Sequence, residues 1–321
     1  MTWKKSLWFI ATILWFSVVV LWPVPTSLAE RDGKETAIPV RIGLYNANLT
    51  KANFGISDAQ FFEAHDGKKQ WHIRAQFAEL YRRENYLHLE NVLSEFYATA
   101  TGNIISSHSR YGRSYLDKHL VELEEDVSLQ SKRGYLFTME HLRYNTESDE
   151  FDSDDLVHMK GPSIDKPTMF LQGVGLHAEV NREHFILKKN VSAQRQLKTS
   201  QWLKVRANLG EFFTNDQRAA FVGRVHSSLP NLSIESEILE ITVAEENESI
   251  LARGKVTLKQ KGRMGNAESV YLETGSNKIL LKGRATVQTH NGLVKGSEIT
   301  LFTDDDRLEV SEAEGKLKEW Q

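Results

Sequence analysis

The 321-residue chain contains no cysteine, which excludes a disulfide framework, a thiolate metal site and a cysteine nucleophile. Only six prolines occur, and four of them (Pro39, Pro162, Pro167 and Pro230) lie beyond the apolar N-terminus. Long stretches are therefore free to pair as strands. The eleven histidines are scattered, and no H-E-x-x-H, G-x-S-x-G or P-loop spacing is present. Asp304-Asp305-Asp306 and Asp152 to Asp155 lack the glycine and terminal glutamate of an EF-hand and read as exposed acidic turns. No catalytic residue, metal site or cofactor is expected. A net charge of −3 provides no overall field for nucleic acid. Beyond the N-terminus no sustained 3.6-residue apolar stripe occurs, and Phe77 to Tyr81 could form a turn or so of helix at most.

What is present begins at the N-terminus. Lys4 and Lys5 precede an apolar run from Leu7 to Trp22, closed by Pro23 and Pro25. The run is near the short limit for spanning, since a bilayer core needs roughly 17–25 helical residues. Trp8 and Trp22 stand near its two ends, where indole rings favour the lipid–water interface. The basic pair should stay cytoplasmic and send the rest of the chain outward, giving a single-pass inner-membrane protein with a periplasmic bulk. Cleavage after Ser27-Leu28-Ala29 as a signal peptide is the alternative. Residues 1–29 are read as the anchor and residues 30–55 as a linker.

Further along, one unit recurs: an apolar–polar alternation, then glycine or a polar residue, a charged or amide residue, and valine or alanine. It occurs at Leu89 to Val92, Leu123 to Val127, Leu187 to Val191, Phe221 to Val225, Ala252 to Val256 and Leu281 to Ala285, with a degenerate member at Val157. Its last residues recur every 29 to 35 positions. Such a period marks stacked repeats, and the two-residue alternation makes the stacked element a strand. In Ile250 to Leu258 and Ile279 to Val287 one face is apolar and the other carries lysine, arginine and threonine. That is the pattern of a half-buried sheet. A glycine at mid-strand marks a corner, and one corner per repeat would bend the sheet along a line. Second motifs such as Gly265 to Leu272, Lys295 to Phe302 and Lys204 to Phe212 would be the return strands. The expected architecture is all-β: an elongated open jelly roll or V-shaped trough of stacked repeats behind one N-terminal transmembrane helix. Pro162 and Pro167 bracket a break at 161–175 that is the best candidate for a boundary between two β regions.

These residues resemble the periplasmic proteins of lipopolysaccharide export. Residues 1 to about 178 are similar to the LptC family, through Lys4 to Trp22, Trp71 to Ala75, Leu87 to Val92, Leu120 to Val127, Phe137-Thr138 with Leu142, and Gly173 to Leu176. Residues about 181 to 321 are similar to the LptA/OstA β repeat, through Gly254 to Val256, Ala267-Glu268, Gly283 to Ala285 and Gly296 to Ile299. The domain reading is an LptC-like trough over 56–178 and an LptA/OstA-like trough over 179–321. The chain departs from the usual LptC pattern by continuing past the Gly173 to Leu176 break, as if a bridge segment were fused to the anchored one. The resemblance implies a lipid-transfer component, not an enzyme. It would shield lipopolysaccharide acyl chains between the inner and outer membranes. The implied partners are an inner-membrane lipopolysaccharide ABC transporter and a downstream trough-shaped bridge or outer-membrane assembly protein.

Residues expected to face inward, as lipid-binding groove candidates, are Ile73, Leu89, Val127, Leu187, Val225, Ile250, Val256, Leu281 and Val287. They could equally pack on one another as plain core, and a core that stays partly open is itself a groove. A rival from a different class is a periplasmic β-solenoid scaffold or carbohydrate-active enzyme. An enzyme of that kind would show clustered inward carboxylates, whereas the alternation here sends most of them outward. The strands at Ile299 to Thr303 and Leu308 to Ser311 are expected to form a C-terminal docking edge, and Ile56 to Phe62 to meet the transporter.

Overall fold

The computed structural model describes residues 54–65, 68–98, 102–214, 216–244, 247–305, 307–312 and 314–317. The expected anchor at 1–29 and all but the last two residues of the linker lie outside the described residues. Among the described residues no helix is long and apolar enough to cross a membrane.

Among the described residues, nineteen strands make up one sheet. The first nine are β1 (Phe54–His65), β2 (Lys68–Tyr81), β3 (Tyr86–Ala98), β4 (Asn103–Tyr115), β5 (Leu120–Ser131), β6 (Leu136–Asn145), β7 (Glu150–Gly161), β8 (Met169–Glu179) and β9 (His184–Gln196). Then come β10 (Trp202–Ala207), β11 (Leu209–Phe213), β12 (Arg218–Leu229), β13 (Leu232–Val243), β14 (Glu248–Gln260) and β15 (Arg263–Glu273). The last are β16 (Lys278–Thr289), β17 (Gly292–Phe302), β18 (Leu308–Ser311) and β19 (Glu314–Leu317). Among the described residues every pairing is antiparallel, and all but three join consecutive strands. β10 and β11 are two halves of one run split at Asn208, and both pair with β9 and β12. β18 and β19 likewise share β17. The segment Phe77 to Tyr81, where a helical turn was conceivable, is the end of β2, in register with Tyr86 to Glu90. Its neighbours alternate, so the sheet ladder decides the backbone.

The ladder is bent along its middle, because most strand pairs carry a register shift at mid-strand. The corner is visible in the backbone. Gly223, Gly254 and Gly283 each have φ +80°, followed by Arg224, Lys255 and Arg284 at +49°, +46° and +46°. Two successive left-handed residues turn the strand while the apolar residues on both sides stay inside. Glycine adopts this conformation without a Cβ penalty. At Gly254 and Gly283 an added Cβ would lie 2.8 and 2.7 Å from the Cβ atoms of Glu237 and Glu268 on the adjoining strands. The earlier units make the same corner with other residues: Asn91, Glu125-Asp126 and Asn190 are all left-handed. The degenerate unit at Val157 has no such corner, and the left-handed residue falls on the next strand instead, at Gly175.

β4 and β13, which are return strands, and β7, which carries the degenerate unit, turn by a different device. Ser109 Oγ donates to the Tyr111 carbonyl at 2.8 Å, and Ser236 Oγ donates to that of Ile238 at 2.9 Å. Ser153 Oγ accepts from the Asp155 N–H at 3.2 Å. All three serines are buried, so their hydroxyls satisfy backbone groups that the bend takes out of the ladder.

The two halves of the bent ladder pack face to face. Phe96, beyond the corner of β3, meets Tyr144 and Phe151, with ring centroids 4.4 and 4.9 Å apart. Phe137 meets Phe185 edge-on at 5.2 Å. One apolar cluster runs from Ala59 to Leu301, through nearly every described strand.

Candidate functional site: the apolar interior and its mouth

The twelve residues that flank the recurring corners line the fold of the bend. Leu89, Val92, Leu123, Val127, Leu187, Val191, Phe221, Val225, Ala252, Val256, Leu281 and Ala285 are each no more than 2% exposed. Their spacing of three or four residues, rather than two, is what the left-handed corner residues produce. The hinge residues point away from the interior: Lys255 and Arg284 side chains are 91% and 90% exposed. They pair outside with Glu237 (3.7 Å) and Glu268 (2.8 Å), the side chains against which Gly254 and Gly283 pack. Arg110 holds Glu125 and Asp126 in the same way at 2.9 and 3.0 Å. Such exposed pairs contribute little to stability but leave no charge facing inward.

All nine inward candidates are buried in this one cluster. None of them borders either of two adjoining cavities with mainly apolar walls. The larger cavity, about 270 Å³, is walled by Tyr135, Leu171, Phe185, Leu203, Phe212 and Phe221 among others. The smaller, about 90 Å³, adjoins it across Tyr135 and Phe185. Apart from Phe221, which belongs to the repeat motif, these walls come from strand halves near the mouth of the bend, whereas the repeat motif marks its fold. Alternation identified the inner face but not how deep each inner residue lies.

The mouth runs between two rows of turns. One row holds Asn85, His119, Asp149, Glu183 and Gln217, all left-handed with φ between 48° and 57°. The other holds the turns at 132–135, 162–168, 197–201, 230–231 and 261–262. Polar straps join the rows at three places. Arg133 donates to the Thr214 carbonyl at 3.0 Å and pairs with Glu183 at 3.1 Å. Asn103 also donates to Glu183, and Thr214 N–H bonds the Glu183 carbonyl at 3.1 Å. Farther along, Glu248, 1% exposed, accepts from Arg195 Nη2 at 3.0 Å and from the Lys198 N–H at 2.7 Å. Lys198 Nζ reaches the Ala244 carbonyl at 2.7 Å. Last, the buried Arg263 donates to the Phe302 carbonyl at 2.7 Å, and Lys261 to that of Thr303 at 3.1 Å. A buried carboxylate is tolerable only when its charge and lone pairs are met, as Glu248 shows. The strap partners lie 31 to 81 residues apart in sequence, so no local motif signals them.

Burial raises the phenol of Tyr135 above its ordinary value, and the nearby Arg195 and Arg133 charges oppose the shift. Burial, then its bond to Asp149, raises Tyr144 much further. The bond from His184 lowers the Glu179 carboxyl.

A bent antiparallel ladder of repeated strands, apolar within and charged without, defines a stacked β-trough class. Residues 50–196 match the family model of lipopolysaccharide-assembly, LptC-related proteins. Residues 204–307 match the model described as LptA/(LptD N-terminal domain) LPS transport protein. The chain is thus an LptC-like region followed by an LptA-like region, and the two matches meet at the strand pair β9–β10. No curated protein matches the chain. Among solved structures it is similar to LptH from Pseudomonas aeruginosa, titled the LptA-homologous periplasmic component of the lipopolysaccharide transport device. That likeness has 14% identity and a TM-score of 0.33, over 34% of this chain and 82% of that one.

Proposed function

We propose that the chain is a periplasmic lipid-transfer component that shields lipopolysaccharide acyl chains during export from the inner to the outer membrane. The observation that carries this reading is the single apolar cluster from Ala59 to Leu301, shared by the LptC-like and LptA-like regions. Apolar area removed from water is worth about 25 cal/mol per Å², so a multi-acyl lipid between two apolar walls forgoes little by leaving a bilayer. Successive repeats offer similar walls, which keeps the free energy along the path nearly level. Ile73, Leu89, Val127, Leu187, Val225, Ile250, Val256, Leu281 and Val287 would meet acyl chains as the two halves part.

The protein would perform no bond chemistry, and energy would come from the inner-membrane ABC transporter. The rival enzyme reading needs inward carboxylates free to act. The acids closest to the interior, Glu183 and Glu248, are each held by an arginine. An uncleaved Leu7 to Trp22 helix would tether the LptC-like region to the inner membrane. Two sheet edges suit end-to-end partners. Among the described residues β1 pairs only with β2, and it exposes Phe54, Ile56 and Phe62, which suits the transporter's periplasmic domains. β18 and β19 form the other edge and suit a downstream trough. Depleting the chain in cells should leave newly made lipopolysaccharide in the inner-membrane fraction. Its arrival at the outer membrane at the normal rate would refute the proposal.

A further inference from the structure

The larger cavity is apolar inside but not at its rim. Among the described residues, three guanidinium groups border it, from Arg133, Arg195 and Arg218, and no aspartate or glutamate does. The remaining polar side chains on its border, such as Thr168, Thr214 and Gln217, are neutral. Arg133 and Arg195 are held from behind by Glu183 and Glu248, which fixes their positions at the mouth. Arg218 is different. It stacks on the Phe213 ring, 4.4 Å from its centroid, and no carboxylate within ion-pairing distance is found among the described residues. Three guanidinium groups border one apolar cavity, and one of them has no carboxylate partner among the described residues. Such an arrangement lowers its own repulsion by taking up an anion.

The cavity is also large enough to matter. Engineered apolar cavities of about 150 Å³ take up a benzene-sized ligand. At about 270 Å³ this one can admit a length of hydrocarbon, and it continues past Tyr135 and Phe185 into the smaller cavity. A ligand that fits both features has an alkyl part and an anionic group at the junction of its apolar and polar parts.

We infer that this rim is an anion-binding station for an acylated, phosphorylated amphiphile. The acyl chain would lie against Leu171, Phe185, Phe212 and Phe221, and the phosphate would sit between Arg218, Arg195 and Arg133. The inference rests on the proposed lipid-carrying interior and specifies which atoms of the cargo this part reads. It also gives the straps a role. Arg133 and Arg195 close the mouth through Glu183 and Glu248, so a headgroup travelling along the mouth must pass them.

The test is equilibrium binding of two probes to the purified full chain in detergent: bisphosphorylated hexa-acyl lipid A, and the same lipid with both phosphates removed. The wild type should bind the phosphorylated lipid more tightly, and that difference should shrink as ionic strength rises. Arg218→Gln should weaken binding of the phosphorylated lipid about three- to tenfold, the range for one partly exposed charge contact, and leave the dephosphorylated lipid unchanged. Arg218→Lys should restore much of the loss, which separates charge from folding. Equal affinity of wild type and Arg218→Gln for the phosphorylated lipid would overturn the anion station while leaving the lipid-carrying interior intact. So would an equal loss for both lipids. Binding of neither lipid by the wild type would overturn both readings and favour a partner peptide strand as the occupant.

Discussion

The corner at Gly283-Arg284 can be tested by two adjacent substitutions with different expected outcomes. Gly283→Ala places a Cβ on a residue with φ +80°, which costs an L-residue roughly 1–2 kcal/mol. The new Cβ would also lie 2.7 Å from Glu268 Cβ. That atom is fixed to its backbone and cannot swing aside, so the strands must separate, and overpacking of this kind costs about 1–3 kcal/mol. A loss of about 2–4 kcal/mol is expected, since part of one term relieves the other. Arg284→Gly removes a side chain 90% exposed whose one ion pair, to Glu268, is a surface pair. It also relieves a left-handed arginine at φ +46°. The added freedom of an unfolded glycine opposes that relief by about 0.5–1 kcal/mol, so the net change should stay within about 1 kcal/mol. Urea unfolding of the full chain, followed by far-ultraviolet circular dichroism, measures both. In a stacked array the damage should stay local, so amide exchange should quicken in β15 to β17 before it does in β3 to β5. A Gly283→Ala protein with the wild-type urea midpoint and unchanged exchange would refute the corner argument.

Other expectations follow from the same structure. Val256→Asp or Leu281→Asp buries an unpaired carboxylate and should cost several kcal/mol or force the halves apart, whereas Lys255→Asp and Arg284→Asp should fold normally; equal melting losses in both pairs would contradict the assigned faces. Tyr81 is raised to about 12, by burial and then by its bond to Glu79, and burial is likewise the first cause for Tyr115, Tyr135 and Tyr144. The native state therefore keeps these phenol protons longer than the unfolded chain, whose tyrosines titrate near 10. Their contribution is complete below about pH 10 and is lost as pH rises through the folded values, so urea midpoints should fall in that alkaline range; a flat profile there would count against it. Deleting residues 297–321 removes β18, β19 and half of β17; transporter binding should survive and capture of a downstream trough should be lost, and a truncated chain that still captures it with full affinity would end the edge-docking proposal. If the apolar N-terminus is retained, mass spectrometry should find a mature start at Met1 or Thr2; a start at Glu30 would show cleavage.

Much of the inner architecture was legible because it is periodic. The alternation in Ile250 to Leu258 fixes which side chains face in, and the glycine-plus-basic pairs locate three of the corners. The earlier units were harder to read because the same backbone turn is made there by Asn91, Glu125-Asp126 and Asn190. Asparagine and aspartate tolerate the left-handed region, so the conformation repeats while the residue type does not. The unit at Val157 looked degenerate because its corner moved to Gly175 on the next strand. The mouth was not legible. Arg133 finds Thr214, and Arg195 finds Glu248, only after several strands have stacked and turned between them. The buried serines that bend β4, β7 and β13 were also missed, since a lone serine in an alternating strand reads as a solvent-facing residue.

The central claim is that acyl chains travel inside the bend. The most direct measurement is photo-crosslinking in living cells with benzoyl-phenylalanine at Tyr135, where one aromatic residue replaces another on the cavity wall. The same label at Lys255, whose side chain is 91% exposed on the outer corner, is the comparison. The account predicts a lipopolysaccharide adduct at Tyr135 and none at Lys255. No adduct at Tyr135, or an adduct of equal yield at Lys255, would contradict it.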